Sequence, residues 1–142
     1  LTELCLLAGV DYDVLTSHAS KDSYLSYIEE TARRLLPRAH TSQTIVITGI
    51  VRRQPTQSFV GKLDVTPESR YYLETPYMGE SFSGTGDLFA SVIMGSLVNG
   101  LSVEDAMDKA VRFLSPAIEE ASRDNIPRDH GISFEKYLHL LL

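Results

Sequence analysis

The segment richest in chemical content is Ser83-Gly84-Thr85-Gly86-Asp87, followed at once by the apolar run Leu88-Phe89-Ala90-Ser91-Val92-Ile93-Met94. Two glycines one residue apart let a backbone turn tightly and bring successive N–H groups to a ligand. The run behind them is strongly helical in composition, and a helix start offers unpaired N–H groups and a partial positive charge. Such a loop suits an anion, either a phosphate or the charge that develops during phosphoryl transfer. A carboxylate at the helix start can take the proton of an attacking hydroxyl, as a kinase requires. Spacing alone leaves a second reading open: Asp87 is an N-cap or first-turn acid behind a flexible turn, since Gly-x-Gly before a helix is common. The segment is not a Walker P-loop, because no Gly-Lys-Ser/Thr is present. It is not a dinucleotide fingerprint either, as the third glycine is absent and no short buried strand leads directly into it. Ser83 has no evident His and Asp partners, so serine hydrolase chemistry is not indicated.

Several elements must position this loop. Residues 2–9 read as a short helix with Thr2 as N-cap and Gly9 as stop. Across residues 21–36, Tyr24, Leu25, Ile28, Ala32, Leu35 and Leu36 recur at helical spacing, which predicts an amphipathic helix ending before Pro37. Thr44-Ile45-Val46-Ile47-Thr48 is β-branched throughout and reads as a strand buried on both faces, as in a sheet with helices on either side. Residues 58–63 and 70–74 read as an antiparallel pair at the sheet edge, joined by a turn around Thr66-Pro67-Glu68-Ser69. After the loop, a helix over 87–98 is stopped by Asn99-Gly100. Ser102 caps the next helix, with Glu104 and Asp105 in its first turn. That helix runs to about Arg123, and Pro116 inside it should kink or divide it. Residues 125–131 are a polar loop, and Ser133 opens a last helix. The result is an α/β fold with a partly open sheet flanked by helices, whose core further parallel strands on the N-terminal side would complete.

The bulk properties agree with one soluble domain. The chain has 142 residues, within the span of about 100–200 typical of a domain. Its net charge of −6 argues against a nucleic-acid partner, and Arg33-Arg34 and Arg52-Arg53 are isolated pairs rather than a stripe. Cys5 is the only cysteine, so an intrachain disulfide and a cysteine metal site are both excluded. In the run Leu4-Cys5-Leu6-Leu7 it reads as a buried small hydrophobe, compatible with a reducing, cytoplasmic setting. No apolar stretch reaches the roughly 20 residues of a transmembrane helix, so no membrane partner is expected. His18, His40, His130 and His139 lack metal-ligand spacing.

The stretch Phe82-Ser83-Gly84-Thr85-Gly86-Asp87-Leu88-Phe89-Ala90-Ser91 closely resembles the signature of the ribokinase-like superfamily, and specifically its pyridoxal kinase branch. The resemblance implies a ribokinase-like three-layer sandwich. Residues 1–142 would be the C-terminal, ATP-binding and catalytic part of a single domain whose N-terminal half is absent. It implies that Gly84, Thr85 and Gly86 form the anion hole. Asp87 is then the general base acting on the hydroxymethyl group of pyridoxal, pyridoxine or pyridoxamine. Leu88-Phe89-Ala90 is the pyridoxal-kinase form of the motif. Hydroxymethylpyrimidine kinases commonly carry a Cys in or near this loop, and none is present here, yet that substrate stays open as the alternative.

Two further stretches are similar to the same family. Leu1-Thr2-Glu3-Leu4 resembles the end of an Asn-x-x-Glu motif whose Glu orders water around Mg²⁺, although the Asn would precede residue 1. The other reading of Glu3 is a first-turn acid favoured by the helix dipole. Val46-Ile47-Thr48-Gly49 resembles the strand end where a Ser or Thr and the adjacent backbone meet the nucleotide phosphates, and Thr-Gly is also an ordinary turn. The resemblance runs from Leu1 to about Ser122 and is densest over residues 79–98. The tail over 127–135 is similar to bacterial pyridoxine/pyridoxamine kinases. ATP and Mg²⁺, a small-molecule substrate and a homodimer follow as implications. In the family the vitamin ring is held mainly by the N-terminal half, so a nucleotide-binding fragment without activity of its own is the rival reading.

Overall fold

The structure, a computed structural model, describes residues 1–36, 43–79 and 81–142. Pro37, expected to end a helix, and His40 lie outside the described residues. The chain divides into two units, Leu1–Tyr77 and Met78–Leu142.

In the first unit, helix α1 (Thr2–Ala8) stops where Gly9 adopts φ 65°, the left-handed conformation that glycine takes without a Cβ penalty. Its N-cap is Leu1 rather than Thr2, and no side chain caps it. A short helix that the periodicity did not announce, α2 (Tyr12–Thr16), begins where the Asp11 carboxylate accepts from the Val14 N–H. Helix α3 (Tyr24–Arg33) is shorter than the expected 21–36, and buries Tyr24, Ile28, Thr31 and Ala32 along one face. Leu4, Cys5, Leu15, Tyr24, Ile28 and Ala32 from these helices share one core with Ile47, Ile50, Leu63 and Val65 of the sheet. The burial of Cys5 raises its thiol pKa, in keeping with a packing role.

The sheet has three strands, β1 (Ile45–Arg53), β2 (Ser58–Val65) and β3 (Arg70–Pro76), in that order. Both pairings are antiparallel. The expected edge pair is present, but β2 is central. The turn between β2 and β3 is closed by Thr66, which donates its N–H to the Ser69 carbonyl and whose hydroxyl accepts the Ser69 N–H. The reading of β1 as a strand buried on both faces is corrected. Ile47 and Ile50 enter the core, while Val46 and Val51 stay half-buried. A β-branched run reports strand propensity and cannot by itself report how many faces are covered. Gly61 in β2 is covered by a neighbour: an added Cβ would collide with the Tyr72 hydroxyl and ring, so the ring lies over the glycine. Tyr72 donates to Glu74 at 2.7 Å, and Arg52 donates to the same carboxylate oxygen at 3.1 Å.

In the second unit, helix α4 (Thr85–Val98) is followed by α5 (Val103–Arg123). The Ser102 hydroxyl accepts from the Asp105 N–H at 3.1 Å and donates to its carboxylate at 2.7 Å, the cap that the sequence predicts. Ala106, Met107, Ala110, Phe113, Leu114, Ala117 and Ala121 form the buried stripe of α5. Pro116 does not divide the helix, which continues to Arg123. The last segment, Phe134–Leu141, is a 3₁₀-helix rather than an α-helix. It is fastened to α5 by an edge-on Phe113–Phe134 contact with ring centroids 6.3 Å apart, and by Lys136 donating to Glu120 at 2.7 Å. That bond lowers the Glu120 pKa and raises that of Lys136.

Candidate functional site

The glycine loop is held from behind. Phe82 is buried, and the Ser83 N–H donates to the Arg128 carbonyl at 3.0 Å. Gly131 also closes on the loop: a Cβ there would come within 3.2 Å of the Ser83 carbonyl oxygen. The segment around 128–131, a polar loop by its sequence, is therefore the brace of the motif. Gly84 then serves as N-cap of α4 at φ 82°, ψ −9°. Thr85 ties the turn, its hydroxyl donating to the Phe82 carbonyl at 2.9 Å.

This arrangement decides how the helix start is satisfied. Leu88 N–H is the first to reach an intrahelical carbonyl, that of Gly84, at 3.0 Å. Thr85 N–H makes a long bond to the Phe82 carbonyl at 3.4 Å. The N–H groups of Gly86 and Asp87 find no acceptor among the described residues, and no side chain caps the helix. Two open donors with the positive end of a 14-residue helix behind them are what an anion needs. Gly86 has an ordinary negative φ, and a Cβ built on it meets nothing within 4 Å. The fold does not need glycine at that position, whereas close approach of a ligand to the backbone does.

Asp87 is the third residue of the helix, not its N-cap. Its side chain is exposed and forms no hydrogen bond or ion pair among the described residues. It neither caps α4 nor braces the loop, so the reading of Asp87 as N-cap is set aside and that of a free first-turn carboxylate stands.

The other predicted residues lie in the first unit, and the structure brings them together. The Leu1 backbone nitrogen donates to the Thr48 carbonyl at 2.8 Å and sits 3.6 Å from the Glu3 carboxylate. Two motifs more than forty residues apart in sequence thus meet at one nitrogen. Glu3 is otherwise exposed; its own backbone amide holds its carboxyl pKa below the ordinary value. Among the described residues no group of three or more His, Cys, Asp or Glu is arranged to hold a metal ion. A single exposed carboxylate fits the way Mg²⁺ is usually held, through water and substrate phosphates rather than a protein cage.

Thr48-Gly49 is not a strand end. β1 continues to Arg53, and the register shifts between Ile47, opposite Leu63, and Ile50, opposite Gly61. Thr48 and Gly49 thus both oppose Lys62, a β-bulge with its glycine at φ 71°. Bulges re-aim backbone groups out of the ladder and are enriched beside active sites. Lys62 escaped sequence reading because its relation to the bulge depends on strand register.

A family model described as phosphomethylpyrimidine kinase matches residues 10–132. No match was found among curated protein sequences. Among solved structures, the chain is similar to a candidate phosphomethylpyrimidine kinase from Bacteroides thetaiotaomicron. The orthorhombic form of that protein, with pyridoxal, is 28% identical with a TM-score of 0.75 over 99% of this chain and 46% of that one. Its rhombohedral form is 26% identical with a TM-score of 0.71, over 99% and 45%. Pyridoxal kinase from Lactobacillus plantarum, 23% identical over 99% of this chain and 46% of that one, has a TM-score of 0.68 and supports the fold alone. The chain spans less than half the length of each of these structures.

Proposed function

The chain belongs to the phosphomethylpyrimidine kinase family, and from that membership we propose that it carries the phosphoryl-transfer machinery of an ATP-dependent kinase acting on the hydroxymethyl group of a B6 vitamer. The observation that carries this reading is the uncapped start of α4, where two open amides and an unpartnered carboxylate stand side by side. In this scheme the open amides where the Gly84-Thr85-Gly86 loop enters α4 stabilise the transferring phosphoryl group, and Asp87 takes the proton of the substrate alcohol. The balance is simple: the alcohol oxygen bonds to the γ-phosphorus of ATP, the bond from that phosphorus to the β,γ-bridging oxygen breaks, and ADP leaves. Thr48 and Gly49 hold nucleotide phosphate oxygens. Glu3 orders water around Mg²⁺, which when bound neutralises charge on the nucleotide phosphates. The pyridoxal in one related crystal form and the absence of cysteine from residues 82–91 both favour a B6 vitamer over hydroxymethylpyrimidine. No helix among the described residues is long and apolar enough to cross a membrane. A cytoplasmic homodimer is the setting proposed with this activity.

A second reading has its own support. Because the chain spans under half of its relatives' length, it can bind nucleotide without completing a substrate pocket. Calorimetric titration with ATP–Mg²⁺, paired with a phosphorylation assay on pyridoxal, pyridoxine, pyridoxamine and hydroxymethylpyrimidine, separates the two. Binding with turnover of a B6 vitamer supports the kinase reading. Binding with no turnover assigns a nucleotide-binding part, and no binding removes both.

A further inference from the structure

We propose that Lys62 is a phosphate-binding residue of the first unit, placed by the β-bulge to meet the nucleotide's anionic chain beside Thr48 and Gly49. The register sets Lys62 across from both bulge residues. Among the described residues its ammonium has one polar contact, the Thr75 hydroxyl at 3.3 Å, and no ion pair. The charged residue on the same strand face is Asp64, two positions away. Asp64 is buried and its carboxylate is taken by the Thr44 hydroxyl. Also on that face are the apolar Val60 of β2 and Leu73 of β3, and Tyr71 of β3 opposite Asp64. Burial pushes the Lys62 pKa below the ordinary lysine value, with no carboxylate opposing the shift.

A lysine present for its hydrocarbon stem normally carries its head to water or to a carboxylate. Here the head is half-buried and unpaired, which destabilises the free protein and is offset only when an anion arrives. Phosphate oxygens supply the missing charge. Thr75 adds a hydroxyl, and the Thr48 hydroxyl, which has no partner among the described residues, adds another. This inference rests on the nucleotide-binding reading of Thr48 and Gly49, and extends it to a residue on the neighbouring strand.

The test is calorimetric titration of the chain with ATP–Mg²⁺ and, separately, with adenosine. The proteins are the wild type, Lys62→Met and Lys62→Arg, with thermal unfolding of each. Lys62→Met is expected to weaken ATP binding by roughly 10- to 100-fold, the scale of one charged hydrogen bond. Adenosine binding should be unchanged, and Tm unchanged or higher, because an unpaired, half-buried charge has been removed. Lys62→Arg should retain much of the ATP affinity. As a measurement that needs no variant, ¹³C-methylated Lys62 followed by NMR should show its pKa rising when ATP is added. Wild-type binding of ATP with equal affinity in Lys62→Met, or a Lys62 pKa indifferent to ATP, overturns this inference while leaving the nucleotide reading intact. Failure of the wild type to bind ATP overturns both.

Discussion

The bulge in β1 and the loop before α4 use the same device to opposite local ends. Each places a glycine at positive φ, Gly49 at 71° and Gly84 at 82°. In the first unit the glycine interrupts a ladder, so that Thr48 and Gly49 share one partner position. In the second it starts a helix and leaves that helix uncapped. Both produce backbone polar groups turned away from regular pairing, one through a break in non-local structure and the other through the beginning of a local one. The difference teaches where each kind of site is written. A helix-entry loop needs only its own neighbours, whereas a bulge exists only relative to the strand beside it.

The largest effect that would test this contrast is at Asp87. If the loop is the reacting centre and the bulge a binding element, Asp87→Asn in the enzyme that carries this chain should lower kcat by about 10²–10⁴-fold, the usual worth of a general base. ATP affinity should shift little, because the exposed carboxylate makes no bond among the described residues. Steady-state kinetics with a B6 vitamer measures both. A mutant with comparable kcat would remove the base from the mechanism, and a large loss of ATP affinity with kcat intact would make the loop a binding element like the bulge.

The same contrast explains what was legible beforehand. Ser83 to Ser91 announced a glycine turn and a helix because turn and helix signals are short-range. Ser102 as a cap and Gly9 as a stop were legible for the same reason. The strand pair at 58–63 and 70–74 was visible through its β-branched and aromatic residues and the turn between them. What stayed hidden depends on distant partners. Thr48-Gly49 looked like a strand end, because a glycine in a strand does not say whether it closes a turn or opens a bulge. Arg128 and Gly131 looked like an ordinary polar loop because their role is to brace residue 83. The continuous passage of α5 through Pro116 reflects its buried stripe, whose packing outweighs the loss of the one backbone N–H that proline lacks.

Intermediate effects should come from the glycines. Gly49→Val and Gly84→Val each place a β-branched residue at positive φ, at a cost of about 1–2 kcal/mol by urea unfolding. Gly86→Ala sharpens the point. That glycine is not strained and its Cβ would meet nothing, so alanine should raise stability by about 0.5–1 kcal/mol as a better helix former. ATP affinity should nevertheless fall, because the methyl group would stand where a phosphate approaches the amides. Stability and affinity moving together in Gly86→Ala would mean that the open helix start is not an anion site.

The smallest effect belongs to Glu3, and it asks whether the first unit handles metal as well as phosphate. The carboxylate is 85% exposed, so water screens its favourable place in the first turn of α1. Glu3→Gln should cost no more than a few tenths of a kcal/mol. The sign of the pH dependence follows from the depressed pKa. The stabilisation is present above the carboxyl's unfolded value, roughly 4.3, and is lost as pH falls through the lower folded value. Glu3→Gln and the wild type should therefore converge in stability under acid and differ slightly at neutral pH. A metal role would show elsewhere: ATP affinity of the variant should need several-fold more Mg²⁺ at pH 7, with metal-free ATP binding unaffected. Identical Mg²⁺ titrations in the two proteins would leave Glu3 as a helix acid, and would confine the first unit's part to the bulge and its neighbouring strand.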